Sequence, residues 1–121
     1  MSRFDQWLPQ RHSTESTRQL VFLTVHTTES DLTKDTPFVR AFVGRLRAEA
    51  DLVGSVGLPQ VVDREITVHA YGPDADAMLE ALAPVVRESP KVERAWALVR
   101  YGDVGARETQ VTLEGAAGVE G

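Results

Sequence analysis

The chain has 121 residues, of which 42% are hydrophobic and 26% are charged, and its formal net charge is −5. This length and composition fit one globular domain and exclude wholesale disorder. The absence of cysteine excludes disulfides, zinc–thiolate sites and iron–sulfur clusters, and the acidic balance argues against a nucleic-acid partner.

The first predicted segments are an N-terminal arm and a strand. Residues 1–19 are polar and aperiodic, which predicts a loose arm in which Phe4, Trp7 and Leu8 can dock as a short turn. This region has no apolar run long enough for a signal peptide, and the chain has no apolar run long enough to span a membrane. We therefore expect a cytoplasmic protein without membrane contact. Residues 20–27 alternate in polarity and predict a strand.

A helix follows this strand. Thr36 and Pro37 are typical of an N-cap and a first helical residue, and Gly54 is typical of a helix end. Residues 55–63 contain Pro59 and form either an irregular loop or a short edge strand; the sequence leaves both open. The predicted helix has an apolar stripe at helical spacing, formed by Val39, Phe42, Val43, Leu46, Ala50 and Val53.

A second strand and a second helix follow. Residues 65–71 alternate and predict the strand, and Asp74 begins the helix as its cap. Pro84 lies inside the helical pattern, which predicts a kink or a tightened last turn. The apolar side of this helix is formed by Met78, Leu79, Leu82, Val85 and Val86.

The C-terminal part predicts a β-hairpin and a tail. Residues 94–101 and 106–113 alternate in polarity and flank a four-residue connection with glycine at both ends. Residues 114–121 are rich in glycine, alanine and glutamate, which predicts a flexible acidic tail. The single folded domain therefore spans residues 20–113.

The predicted elements follow one another as strand, helix, weak strand, strand, helix, strand and strand. This order resembles the ferredoxin-like, split βαβ arrangement with an added C-terminal strand. This resemblance implies an α+β two-layer sandwich with two helices on one face of a mainly antiparallel sheet. It is a resemblance of topology only and implies no activity, because this fold hosts many unrelated functions. We expect one buried cluster formed by Val21, Leu23, Val25, Phe42, Leu46, Ile66, Val68, Leu79, Leu82 and Val99.

The opposite face of the predicted sheet carries the candidate functional residues. Side chains of a strand alternate between faces, and here the second set is aromatic and polar. Apolar sheet faces seldom stay exposed, and Trp, Tyr and Arg are enriched where protein partners dock. The alternative is that Trp96 belongs to the core and that its strand faces the other way. The predicted partner-binding residues are Phe22, His26, His69, Tyr71, Trp96 and Arg100.

This face predicts a non-enzymatic protein-binding or regulatory module without cofactor or metal. The expected partner is another protein: a second copy in a homodimer, or a basic effector neutralised by an inhibitor or immunity-type protein. The alternative is a small-molecule or metal-dependent activity centred on His26 and His69, because imidazoles with a carboxylate can bind a divalent metal. If residues 55–63 form a loop, both histidines can lie at one end of the sheet and share a metal; if they form a strand, the histidines approach opposite ends and a shared metal is disfavoured.

Overall fold

A computed structural model of the protein describes residues 19–103 and 105–119. Its centre is a six-stranded antiparallel sheet, so the predicted α+β class is confirmed. None of the helices in this described part is long and apolar enough to cross a membrane. The strands are β1 (Gln19–Thr27), β2 (Ser55–Val56), β3 (Gln60–Val62), β4 (Glu65–Gly72), β5 (Val92–Arg100) and β6 (Glu108–Glu114), and the helices are α1 (Pro37–Ala50), α2 (Ala75–Glu88) and α3 (Ala116–Val119).

The strand order across the sheet is β2–β4–β1–β5–β6, and β3 pairs with β4 beside β2. Every pairing is antiparallel, so β4 runs opposite to β1. Residues 55–63 therefore contain two short edge strands, interrupted at residues 57–59. This resolves the alternative that the sequence left open.

The two long helices begin where the sequence predicts, but their caps differ. Asp74 caps α2, since its carboxylate accepts a hydrogen bond from the Ala77 N–H at 3.1 Å. Thr36 occupies the N-cap position of α1 without a side-chain capping bond. Its hydroxyl instead accepts a hydrogen bond from the Thr33 N–H at 2.9 Å. The α1 N-terminus therefore keeps its free N–H groups.

The ends of the helices also differ from simple sequence rules. Helix α1 ends at Ala50, and Gly54 follows after a turn in which its N–H donates to the Ala50 carbonyl at 2.9 Å. Helix α2 continues through Pro84. Its last turn is tightened, because the Ser89 N–H donates to the carbonyl of Val86, three residues earlier.

The hydrophobic core lies between the helices and one face of the sheet. Its strand members occupy alternate positions of β1, β4 and β5, and its helix members form the apolar stripes of α1 and α2. All predicted core residues belong to it except Leu79, which is partly buried and packs against its edge. The predicted division of the sheet into two faces is therefore correct.

The described C-terminal region continues beyond the predicted domain boundary at residue 113. Glu114, which the sequence assigns to the tail of residues 114–121, ends β6. The N–H of Gly115 then donates to the Glu93 carbonyl at 3.1 Å, and Ala116–Val119 form α3. This bond fixes the start of the segment against β5.

The predicted N-terminal arm, with Phe4, Trp7 and Leu8, lies outside the described residues apart from Gln19. That residue begins β1. Its side-chain oxygen accepts a hydrogen bond from the Ala75 N–H at 2.7 Å. Gln19 therefore links the start of β1 to the start of α2 and belongs to the folded domain.

Candidate functional site

The sheet face opposite the helices, here called the open face, carries all six predicted partner-binding residues. Backbone register fixes this placement, because residues directly opposite each other in neighbouring strands share a face. Phe22, for example, lies opposite His69 in β4 and Leu98 in β5. The open face comprises Leu20, Phe22, Thr24 and His26 of β1, Glu65, Thr67, His69 and Tyr71 of β4, Arg94, Trp96, Leu98 and Arg100 of β5, and Glu108, Gln110, Thr112 and Glu114 of β6.

Trp96 lies on the open face and not in the core. The buried residues of β5 around it are Ala95 and Ala97, whereas Trp96 and Leu98 are half-buried. The small side chains of Ala95 and Ala97 face the helices, which can therefore pack closely against the strand. The indole of Trp96 lies on the opposite side of the sheet. Within the described chain, the hydrophobic core cluster contains no open-face side chain, although Leu20 and Thr24 of the open face are themselves buried. The open face is thus a second surface, distinct from the core cluster between the sheet and the helices.

Three aromatic side chains form a connected row across β1 and β4. The rings of Phe22 and His69 meet edge to face, with centroids 4.5 Å apart and an interplanar angle of 85°. The rings of His69 and Tyr71 are nearly parallel, with centroids 6.3 Å apart. His69 is therefore held between two rings, while Tyr71 remains 49% exposed. The three rings therefore form a contiguous aromatic row on the open face.

The centre of the open face carries no carboxylate, Lys or Arg, whereas both ends of its strands carry charges. Two rows cross the centre in register, formed by Thr67, Thr24, Trp96 and Thr112 and by His69, Phe22, Leu98 and Gln110. At one end Arg100 lies opposite Glu108, and at the other Arg94 lies opposite Glu114. A centre depleted of charged residues, surrounded by a charged rim, is the arrangement of protein–protein interfaces.

His26 lies at the charged margin, between carboxylates of two neighbouring strands. Its Nδ1 is 3.7 Å from Glu65 Oε2, and its Nε2 is 3.8 Å from Glu93 Oε1. Both distances exceed those of hydrogen bonds. Nδ1 is buried and has no hydrogen-bond partner among the described residues. The imidazole therefore belongs to the ionic rim of the open face.

The structure does not bring His26 and His69 together. His69 lies opposite Phe22, four positions along β1 from His26. At about 3.3 Å per strand residue, this spacing separates them by roughly 13 Å, whereas metal–nitrogen bonds measure about 2 Å. Among the described residues, no three His, Asp or Glu side chains are grouped as metal ligands. The structure therefore places the two histidines at separate positions on the open face.

A polar cluster that the sequence analysis missed joins the β5–β6 loop to α2. Tyr101 Oη donates a hydrogen bond to Asp76 Oδ1 at 2.7 Å, and the Arg107 guanidinium lies 4.2 Å from the Tyr101 ring centroid. The hydrogen bond to Asp76, partial burial and the negative charge of Asp76 raise the pKa of Tyr101 above its ordinary 10.0. The pattern of the sequence contains no signal for a contact between residues so far apart.

Tyr101→Phe should remove both this bond and its dependence on pH. The pKa of Tyr101 is higher in the folded chain than its unfolded value of 10.0. The hydrogen bond therefore contributes its full stabilisation at pH values below 10.0, and this stabilisation is lost as the pH rises through the folded-state pKa. Urea unfolding should show wild type more stable than the variant at about pH 8, with a smaller difference at about pH 11. A difference that stays constant would contradict the assigned proton donation.

The comparisons with known proteins identify no relative. No protein-family model matches the chain, no curated protein matches it, and no solved structure matches it.

Proposed function

We propose that the protein is a non-enzymatic binding module that contacts another protein, namely a second copy of itself, through the open face. The observation that carries this proposal is the separation of the open face from the core. Phe22, Trp96 and Leu98 are half-buried, large and apolar, yet none of them contributes to the described core cluster. Burial of such a surface against a partner is favourable by about 25 cal/mol per Å² of apolar area.

The charges at the margins favour a second copy over a partner of one sign. Each margin carries both a cation and a carboxylate, with Arg100 beside Glu108 and Arg94 beside Glu114. Two identical faces can therefore meet with arginine near glutamate, and like charges need not be paired. A strongly basic effector would leave Arg94 and Arg100 facing its own cations.

The strand order supports the finer description of the fold. With β2 and β3 taken together as one edge strand, the order β2/β3–β4–β1–β5 and the positions of α1 and α2 along the chain match the ferredoxin-like, two-layer arrangement. Strand β6 is then the added C-terminal strand. We include in the proposal a cytoplasmic location, since the chain has no cysteine, and a role without nucleic acid, since RNA-binding sheets surround their aromatics with basic residues.

Trp96→Ala should weaken self-association much more than it lowers stability. Buried aromatic residues at the centre of an interface contribute about 2 kcal/mol or more, which corresponds to a dissociation constant raised by roughly 30-fold or more. Sedimentation equilibrium over a range of concentrations measures this constant, and urea unfolding of the monomer measures stability. The matched control is Leu52→Ala, because Leu52 is 95% exposed and lies outside the open face.

Three results would contradict the proposal. A wild-type chain that stays monomeric at every accessible concentration would exclude self-association through this face. A Trp96→Ala variant whose monomer is as strongly destabilised as a core variant would instead make the indole part of the folding core. If Leu52→Ala weakened self-association as much as Trp96→Ala does, the association would not be specific to the open face.

A further inference from the structure

A groove lies between α1 and the β2–β3 loop. It encloses about 370 Å³, which is near the lower end of the roughly 300–1,000 Å³ range of small-molecule pockets. Basic side chains, Lys34, Arg40 and Arg47, line it together with apolar ones. We propose that this groove binds a small amphiphilic anion, with its charged group on Lys34 and Arg40 and its apolar part on Val43 and Leu58.

Two of the three cations of the groove are available to a ligand. Lys34 and Arg40 are exposed, and neither side chain has a hydrogen bond or ion pair with another residue in the part of the chain that the structure describes. Arg47 closes one end, since its guanidinium donates to the carbonyls of Val56 and Gly57 at 3.4 and 3.3 Å. An anion in the groove would give Lys34 and Arg40 a partner that no described residue provides.

The local charge contrasts with the rest of the molecule. The chain as a whole carries −5, whereas the described residues that line the groove include three cationic side chains and one carboxylate, that of Asp35. Elsewhere Arg45 is paired with Glu88 at 2.9 Å. A concave surface of one sign concentrates the opposite charge, so this groove attracts anions in spite of the acidic chain.

The helix geometry combines these cations with an apolar floor. Arg40 and Arg47 lie one turn before and one turn after Val43 on the same side of α1. Val43 is buried beneath them. Leu58, on the opposite wall, is a large hydrophobic residue that is 82% exposed. This pairing of cations with apolar walls recognises a ligand that carries both kinds of group.

The N-terminus of α1 adds to the positive potential at the end of the groove where Lys34 lies. Its first turn has no acidic side chain, and Thr36 provides no side-chain cap. Within α1 itself, no acidic side chain therefore offsets the partial positive charge of the helix N-terminus, and the adjacent carboxylate is that of Asp35, one residue before the N-cap position. In α2, by contrast, Asp74 and Asp76 occupy the corresponding positions.

Isothermal titration with octyl phosphate below its micelle concentration tests the proposal. Octyl glucoside provides the same apolar chain without charge, and inorganic phosphate provides the charge without the chain. We expect octyl phosphate to bind at least about tenfold more tightly than either, because charged hydrogen bonds and apolar burial each contribute on the order of 1.4 kcal/mol or more.

Variants locate the binding in the groove. Arg40→Glu and Lys34→Glu should each weaken octyl phosphate binding at least about tenfold, and Leu58→Ala should weaken octyl phosphate but not inorganic phosphate. The matched control is Arg64→Glu, which makes the same change in net charge at an exposed arginine outside the groove lining. These side chains are exposed, so circular dichroism should show the variants folded.

Several results would overturn the proposal. Absence of octyl phosphate binding would exclude the site, and equal binding of octyl glucoside would exclude recognition of charge. Equal binding of inorganic phosphate would exclude a role for the apolar walls. An equal loss in Arg64→Glu would attribute the binding to net charge alone. Self-association through the open face is measured separately and does not decide any of these outcomes.

Discussion

Leu23→Ala should lower the free energy of unfolding by about 2–5 kcal/mol, the cost of deleting a large buried side chain from a packed core. Leu23 has no exposed surface. It lies in the central strand β1, opposite Val68 on one side and Ala97 on the other. Because a domain of this size has a total stability of about 5–15 kcal/mol, the shift in the urea midpoint should be large.

The neighbouring residue provides the control for this prediction. Phe22 precedes Leu23 in the same strand and points to the open face, where it is half-buried. Phe22→Ala should therefore destabilise the monomer less than Leu23→Ala, although it removes a larger side chain, and it should weaken self-association. A larger loss of stability for Phe22→Ala would mean that the two faces of β1 have been assigned in reverse.

The two faces of the sheet were predictable because the relevant signal is local. In β5, small or β-branched residues alternate with Trp96 and Leu98, and a strand repeats every two residues. The inward side faces the helices, so Ala95 and Ala97 fit there, and the larger side chains must lie on the open face. The register then brings Phe22, His69 and Leu98 together without further assumptions.

The conformation of residues 55–63 was not predictable from local signals. Ser55–Val56 and Gln60–Val62 are too short to show alternation, and Pro59 interrupts them. Their pairing with β4 comes from residues further along the chain. This segment decided the orientation of β4, and with it whether His26 and His69 could meet.

The groove and the Tyr101 cluster were not predictable for a related reason. Both join segments whose sequences have no common period: α1 meets the loop that contains Leu58, and Tyr101 meets Asp76 across 25 residues. Asp76 lies in the first turn of α2, where an acidic residue is favoured by the helix dipole alone. Contacts of this kind follow from tertiary packing, which a single sequence does not specify.

The structure requires glycine at position 54 for a different reason from the one that the sequence suggests. The sequence favours Gly54 as a helix end, for which glycine supplies conformational freedom. In the structure, a Cβ at Gly54 would lie 2.5 Å from the Tyr71 carbonyl oxygen and 2.6 Å from Met78 Sδ. Glycine is required there by the close approach of the segment after α1 to the end of β4.

Gly72→Ala should be the most damaging conservative substitution at this contact. A Cβ at Gly72 would lie against the Val53 carbonyl oxygen, closer than the 3.0 Å that real Cβ atoms keep, and 3.1 Å from both Gly54 Cα and Met78 Sδ. The backbone oxygen cannot move away without shifting the segment after α1. Overpacking of this kind costs about 1–3 kcal/mol or more, and we expect the upper end because two backbone segments collide.

Gly44→Ala should change stability in the opposite direction to Gly72→Ala. The pair therefore separates the effect of available space from the effect of replacing glycine by alanine. Gly44 lies inside α1, is exposed, and a Cβ there would meet nothing within 4 Å. Gly44→Ala should therefore stabilise the protein by about 0.5–1 kcal/mol, the difference in helix propensity. Urea unfolding of both variants measures the contrast. If Gly72→Ala were neutral or stabilising, Val53 and Gly54 would not pack on the end of β4, and Tyr71 of the open face would not be held by that contact.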